Sequence, residues 1–382
     1  MTINLAESLR KAGAKNELPA VIAYNRVDGP GSSLDLRSFQ QTLWRLPKVP
    51  NELEEDPSML WSRNLPRTIG ITINTGTKVE AHPFEPDRIG VRSTEYGTEA
   101  IGKPGNIVPI KENWLLKIID VFDLSGVMFV LHNLRAGTHS AGLGGSASAT
   151  TAVCILANEL AGKPFSDSQL IALASCVEND LGVSITGTQE QANVVYGGIV
   201  DYIWCPWGIP GQSETAFGAS IRAELLSSKY YSELEKRIAI FHTGKMRASK
   251  DVNAVWLNAL LTVSGYDLHS KKPEIAYEFR EGIRLREWNR AVDAINEYRK
   301  IRTILCPDYL AGAHEIVGHS EAKRATAFPL GAGGGGGVLV FSADPQKISD
   351  LKKEIKDVYR EIPIKLLSSG HELINLSQKE EK

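Results

Sequence analysis

Apolar and polar positions along the chain change period several times, and each change marks a predicted element. Residues 19–35, PAVIAYNRVDGPGSSLD, begin as an apolar run and break into a Gly/Pro/Ser turn, the pattern of a strand feeding a loop. The stretch from Leu46 to Pro66, proline-rich with an acidic ELEED cluster, reads as an irregular surface excursion. RTIGITINTGTKVEAHPFEPDRIGVRS then alternates apolar and polar residues in two strand-like segments. WLLKIIDVF, from Trp114, has helical periodicity, and GVMFVLHNL is an apolar strand running toward a glycine–serine turn, GLGGSAS. Beyond the turn Ala149, Val153, Leu156 and Leu160 recur three or four apart, as on the buried stripe of a helix, and Gly162 with Pro164 is a stop. A second helix starts at Ser166, with Gln169 three later, and buries Leu170, Ala174, Val177 and Leu181. Residues 275–301 read as one long charged amphipathic helix with Ile283, Trp288, Ala291 and Ile295 on its apolar side. The C-terminal part, VLVFS, then PQKISDLKKEIKDVYREI and IPIKLLSS, reads as strand, helix, strand.

Composition narrows the function classes. At 382 residues the chain is long for one core and suits two or three domains. A hydrophobic fraction of 42%, 23% charged residues and a net charge of −2 are ordinary for a globular protein and give no basic field for nucleic acid. Cys154, Cys176, Cys205 and Cys306 lie far apart without a CxxC pair, so they read as reduced thiols. His82 and His139 have no partner at metal-ligand spacing. No signal-peptide core and no run of eighteen apolar residues is present, so neither a membrane nor nucleic acid is expected as a partner and a cytoplasmic enzyme is the default.

The candidate chemistry sits in the order strand, glycine turn, helix. Gly142, Gly144 and Gly145 let the backbone approach a ligand closely. The first-turn N–H groups of the helix that opens at Ser146 have no intrahelical partner, and with the helix dipole they favour an anion. Phosphate is therefore expected on Gly142, Leu143, Gly144, Gly145, Ser146, Ala147 and Ser148. A tight loop allowing close helix packing is the alternative. The Walker pattern GxxxxGK[ST] is absent. Dinucleotide-type spacings begin at Gly142 and at Gly331, but the second precedes a strand and the first lacks its downstream acidic residue.

These residues carry a family resemblance. GLGGSASA resembles the central phosphate-binding motif of the GHMP kinases, the superfamily of galactokinase, homoserine kinase, mevalonate kinase and phosphomevalonate kinase. Thr138 replaces the usual proline and Gly145 the first serine. Arg26, Val27, Asp28, Gly31 and Asp35 fall in register with the first motif of the heptose-kinase and fucokinase branch. GTQEQANVVYGG, from Gly187 to Gly198, resembles G-K-Q-D-Q-x-x-x-x-x-G-G of heptose-phosphate kinases, with Thr188 for lysine and Glu190 for the catalytic aspartate. Thr243, Gly244 and Arg247 are similar to T-G-x-x-R, and Gly331 to Gly336 to the third motif, with Phe328 where lysine is usual.

The resemblance implies an α+β, two-domain GHMP kinase fold: an N-terminal ribosomal-S5-like α/β domain over residues 1–232 and a C-terminal ferredoxin-like α/β domain over 233–382. It implies ATP and Mg2+, the metal on Ser146 and on Glu178, twelve residues before Glu190. It makes Glu190 and Arg26 catalytic, with Asp35, Gly187, Gln191, Gly333 and Gly334 toward the substrate. The expected reaction moves the γ-phosphoryl group to a sugar hydroxyl, the anomeric one of a heptose, heptose phosphate or fucose-like sugar. A mevalonate-like acceptor fits GTQEQ less well. A weakly catalytic sugar- and ATP-binding sensor on the same fold is the competing expectation, and a homodimer is left open.

Overall fold

The computed structural model describes residues 2–36, 38–39, 65–135, 141–205, 219–245 and 249–375. Most of the excursion expected over Leu46–Pro66, together with Thr138, His139 and Arg247, lies outside the described residues. β1 (Ile3–Asn4) and α1 (Ala6–Ala14) lead into β2 (Pro19–Asp28), β3 (Arg67–Pro83), β4 (Ile89–Ser93) and β5 (Thr98–Gly102). Then come α2 (Trp114–Val121), β6 (Leu124–Ser125), β7 (Val127–Asn133), α3 (Gly145–Leu160), α4 (Asp167–Asp180), α5 (Gln189–Tyr196), β8 (Ile199–Cys205) and β9 (Ala219–Glu224). The second part holds α6 (Tyr231–Glu235), β10 (Ile238–His242), α7 (Ser249–Leu260), α8 (Val263–Ser270), α9 (Lys272–Leu285), α10 (Trp288–Leu305) and α11 (His314–Ala322). It ends with β11 (Thr326–Pro329), β12 (Gly337–Phe341), α12 (Pro345–Ile355), β13 (Arg360–Ile362) and β14 (His371–Asn375).

The first sheet runs β14-β2-β3-β7-β4-β5, with β8 added to β3 and β9 to β8; the second runs β11-β12-β10-β13. β3 is long enough to serve two partners: Arg67–Ile71 pairs with β8 and Thr77–Pro83 with β7. The change coincides with a register shift against β2 between Tyr24 and Asn25, a bulge that bends and twists the pair. Past the bulge the Arg26 N–H donates to the Leu143 carbonyl (3.2 Å), which ties the glycine turn to β2.

α3 packs against β2, β3, α2, α4 and α5. Ala147, Ala152, Val153, Leu156 and Ala157 are fully buried, and so are Thr150 and Thr151 on its other sides. A helix with small or apolar residues all round belongs inside the fold. α4 opens as expected, the Ser166 N–H donating to Gln169 Oε1 (2.8 Å). The single helix expected over 275–301 is instead two antiparallel helices, α9 and α10. Arg286 takes a left-handed conformation (φ +59°) that ends α9, and Gly282 allows α10 to approach so closely that an added Cβ would lie 2.7 Å from the Ala291 nitrogen.

Each part packs a cluster of its own, around Val79 and Leu156 in the first and around Ile316 and Leu351 in the second, and a further cluster joins them. Val27, Ile69, Ile71 and Leu143 of the first part share a hydrophobic cluster with Ile240, Trp256, Phe279 and Phe341 of the second. Residue 232, the expected boundary, falls within α6, whose Tyr231 and Leu234 are buried in that cluster. The chain then returns, because β14 pairs antiparallel with β2.

Candidate active site

The glycine turn opens onto a cavity of about 530 Å³. Gly142 (φ +72°) and Gly144 (φ +80°) hold the left-handed backbone the turn requires, which a Cβ would strain. The first bond inside α3 runs from Ser148 N–H to the Gly144 carbonyl (2.9 Å), so the N–H groups of Gly145, Ser146 and Ala147 have no partner within the helix. Gly142 to Ser146 line the cavity. Ala147 and Ser148 are buried beneath it, the Ser148 hydroxyl 3.2 Å from that of Thr77.

Arg26 and Glu190 form an ion pair beside this turn. A Cβ on Gly144 would lie 3.6 Å from Arg26 Nη1 and 3.7 Å from Glu190 Cδ, so the pair faces the positions that would receive phosphate. Arg26, from the bulged end of β2, also holds Asp28 through its Nε (2.9 Å). Burial opposes charge on Arg26, but Asp28, Glu190 and Asp35 outweigh it and raise its pKa. Burial pushes Asp28 up, against the pull of Arg26.

Asp35 stands in the turn after β2, where its Oδ2 accepts from the Gln189 N–H (3.0 Å) at the start of α5. Burial raises its pKa to about 6, with the Gln189 N–H opposing. Gly187 makes this approach possible, since a Cβ there would lie 2.0 Å from Asp35 Oδ2. Gln189, which the sequence analysis gave no role, joins the two motifs: its Nε2 donates to Asp28 Oδ1 (2.9 Å).

Ser146 donates to Glu178 Oε1, and Gln191 Nε2 donates to Glu178 Oε2 (2.9 Å). The expected substrate contact of Gln191 is therefore replaced by a buried one that orients Glu178. Burial raises the Glu178 pKa to about 7; the Ser146 hydroxyl opposes this and the Glu190 charge adds to it. Among the described residues no group of three or more His, Cys, Asp or Glu side chains could hold a metal. A hydroxyl beside one carboxylate is nonetheless an oxygen donor set that suits Mg2+, a cation that keeps several waters and takes few protein ligands.

The wall opposite in sequence comes from Ser32, Ser33, Asn253, Arg302, Gly331 and Ala332. Gly333 and Gly334, expected on the substrate, belong to the packing: a Cβ on Gly333 would lie 1.9 Å from the Tyr309 ring, and the Gly334 N–H donates to the Tyr309 carbonyl (2.8 Å). The glycine run does meet the glycine turn before α3, through Gly337 N–H to the Ala141 carbonyl (2.8 Å). Phe328 is a core residue packed edge-on against Tyr298. Arg302 lines the cavity without having been expected there. Its signal was present: with Ala291, Ile295 and Tyr298, position 302 continues the apolar stripe of α10, and a charge there is out of place.

Residues 124–198, from β6 through α5, match the GHMP kinases N terminal domain. The chain also superposes on solved GHMP kinases along nearly its whole length. The galactokinase of Lactococcus lactis, complexed with galactose, is 15% identical with a TM-score of 0.59 over 96% of this chain and 98% of that one. The Streptococcus pneumoniae phosphomevalonate kinase with phosphomevalonate and AMPPNP is 15% identical (TM-score 0.63, 93% and 99%). A D-glycero-D-manno-heptose 1-phosphate kinase from Bacteriodes thetaiotaomicron is 13% identical (TM-score 0.62, 93% and 98%). At these identities the likeness establishes the fold, which is the expected α+β GHMP kinase architecture. A search of curated protein sequences finds no match to the chain. Among the described residues no helix is long and apolar enough to cross a membrane.

Proposed function

We propose that this chain is a kinase of the GHMP type, a reading supported by the match over residues 124–198 and by its fold, and that it transfers the γ-phosphoryl group of ATP to a sugar hydroxyl, the anomeric one, giving a sugar 1-phosphate. The observation that carries this reading is the Arg26–Glu190 ion pair set against Gly144, in one cavity with Asp35 and the Ser146–Glu178 pair. Phosphoryl transfer asks the protein mainly for positioning and charge stabilisation. The N–H groups at the start of α3 would hold the ATP phosphates, and Arg26 would steady the group in flight. Glu190, its direction fixed by Arg26, would orient the attacking hydroxyl and accept its proton. Asp35, accepting from two neighbouring hydroxyls, would hold the sugar. Tyr96 and Trp114, which also line the cavity, offer flat faces for the base. Ser146 and Glu178 would hold Mg2+, which supplies charge neutralisation along the phosphates. Residues 1–232 and 233–382 would flank the cleft as two domains of a cytoplasmic enzyme that needs neither nucleic acid nor a membrane.

Phosphorus NMR of the full chain with MgATP and a panel of free and phosphorylated aldoses, heptoses and fucose tests this directly. A new anomeric sugar-phosphate signal is expected. The second reading, a sugar- and ATP-binding sensor, is favoured by Glu190 standing in place of the motif's aspartate; ATP that binds yet stays intact across the panel would make that reading the better one.

A further inference from the structure

Behind the cavity wall a lysine is buried without an acid to pair with. Lys272, at the start of α9, is 0% exposed; its Nζ lies 5.4 Å from the Phe39 ring and 5.2 Å from that of Trp256, and it donates to Ser33 Oγ (3.3 Å). No carboxylate among the described residues acts on it. Arg302 shares this aromatic surrounding, with its guanidinium 4.0 Å over Trp256, and donates to Ser32 Oγ (2.8 Å), Tyr298 OH (2.6 Å) and the carbonyls of Gly331 and Ala332. Two like charges are not both kept in one apolar box. The guanidinium, which holds its proton in proteins and here finds acceptors, remains charged. Burial, reinforced by the charge of Arg302, pushes the Lys272 pKa well below its usual range, and the lysine becomes a neutral amine with a free lone pair.

Ser33 stands between this amine and the cavity it lines. It is a non-glycine residue at φ +78°, a strained conformation of the kind that persists where a side chain must be held in one place. A hydroxyl beside a proton acceptor is how a weak oxygen nucleophile is activated, and a lysine desolvated next to a second cation can be that acceptor. Asp35, two residues on, accepts from the Gln189 N–H, and the neighbouring Glu190 is paired with Arg26 against Gly144, so Ser33 opens onto the same cavity as the glycine turn.

We propose that Ser33 is a covalent phosphoryl acceptor: when no other acceptor occupies the cavity, its hydroxyl takes the γ-phosphoryl group of bound ATP, with Lys272 as the base. The bond from Ser33 Oγ to the γ-phosphorus forms as the bond from that phosphorus to the oxygen bridging to the β-phosphate breaks. ADP leaves with the electron pair, and the Ser33 proton passes to Lys272 Nζ, which becomes an ammonium beside the new phosphate ester. The donor rests on the kinase reading above; the activated serine does not.

The test incubates the full chain with MgATP and no acceptor and follows it by intact-mass and tandem mass spectrometry. A gain of one phosphoryl group, located on Ser33 in the wild type, is expected. It is absent in Ser33→Ala and forms about a hundredfold more slowly in Lys272→Met, the worth of a positioned proton acceptor. Thermal unfolding shows whether each variant is folded, and locating the group in the wild type needs no variant. A fluorophosphonate probe, which needs no nucleotide, reads the pair separately: it is expected to label Ser33, and Lys272→Met to slow that labelling about tenfold or more. An unmodified chain that phosphorylates an added sugar, a phosphate found on another residue, or an unchanged rate in Lys272→Met overturns the inference and leaves the kinase reading standing. Ser33 labelled by the probe, with no transfer from ATP to Ser33 or to any sugar, refutes the kinase reading, and with it ATP as the donor, while the activated Ser33–Lys272 pair stands.

Discussion

Gly187→Ala tests the proposed acceptor side of the cavity separately from the proposed nucleotide side. Gly187 is outside the left-handed region, so alanine meets no backbone strain there, only its neighbours. The new Cβ would lie 2.0 Å from Asp35 Oδ2 and 2.6 Å from the Asp35 carbonyl oxygen, where ordinary contact begins at 3.4 Å. The carboxylate must therefore move by about 1.4 Å (3.4 − 2.0) and the main chain by about 0.8 Å (3.4 − 2.6). Gly187 cannot retreat freely, because Ser175 Oγ donates to its carbonyl (2.8 Å). Moving Asp35 also breaks the bond from the Gln189 N–H, worth about 1.5–3 kcal/mol to a charged acceptor. A misplacement near 1 Å costs about a hundredfold in rate. We expect kcat/KM for the acceptor to fall about a hundredfold while nucleotide affinity is unchanged, since no atom of the glycine turn before α3 lies near the added Cβ. Steady-state kinetics with varied acceptor, alongside equilibrium binding of a fluorescent ATP analogue, reads both quantities. Full acceptor-dependent turnover in Gly187→Ala would refute the assignment of Asp35 to the acceptor; a parallel loss of nucleotide binding would refute the separation of the two sides.

Three further outcomes are expected. Glu190→Gln lowers turnover at least about tenfold with ATP affinity nearly unchanged, because it removes the proton acceptor and keeps the shape; an unaltered rate sinks its catalytic role. Glu178, raised to about 7 from an ordinary 4.5, holds in the folded chain a proton that the unfolded chain loses, so its contribution to stability falls as pH rises between those values. Denaturant unfolding should thus show Glu178→Gln gaining on the wild type from pH 5 to pH 8, by on the order of 2–3 kcal/mol in the absence of magnesium, and a pH-independent difference would contradict the burial argument. Gly145→Ser places a Cβ where nothing lies within 4 Å and where φ is not left-handed. It should stabilise the helix start by up to about 0.5–1 kcal/mol in thermal unfolding and keep turnover, and a loss of activity would show that this chain's glycine is required.

What could be read in the sequence was local. The glycine turn, the stripe of α3 and the Ser166–Gln169 cap each lie within a few residues, and the strand–turn–helix order gives them their meaning. The break at Arg286 was concealed because arginine is no stop signal, although the apolar spacing from Ile283 to Trp288 slips to five residues at that point. The glycine run misled for a different reason. Glycine permits close approach without saying to what, and at Gly333 the neighbour is the Tyr309 ring. Lys272 and Arg302 meet Ser33 and Ser32 across more than two hundred residues, a proximity that only the packing of α9 and α10 against the β2 turn creates. β14 was missed because HELIN is a half-polar edge strand with no period of its own.

That last strand has a consequence for the chain during synthesis. His371 pairs with Ala23, 348 positions earlier (371 − 23). At roughly 5–20 residues per second a ribosome needs on the order of tens of seconds to cover that distance. Throughout the interval β2, with its apolar PAVIAY, has an open edge of unpaired N–H and C=O groups on the side that β14 will cover. Open edges of this kind recruit other chains. The nascent chain is thus open to misassociation after its glycine turn has been made and before β14 has emerged.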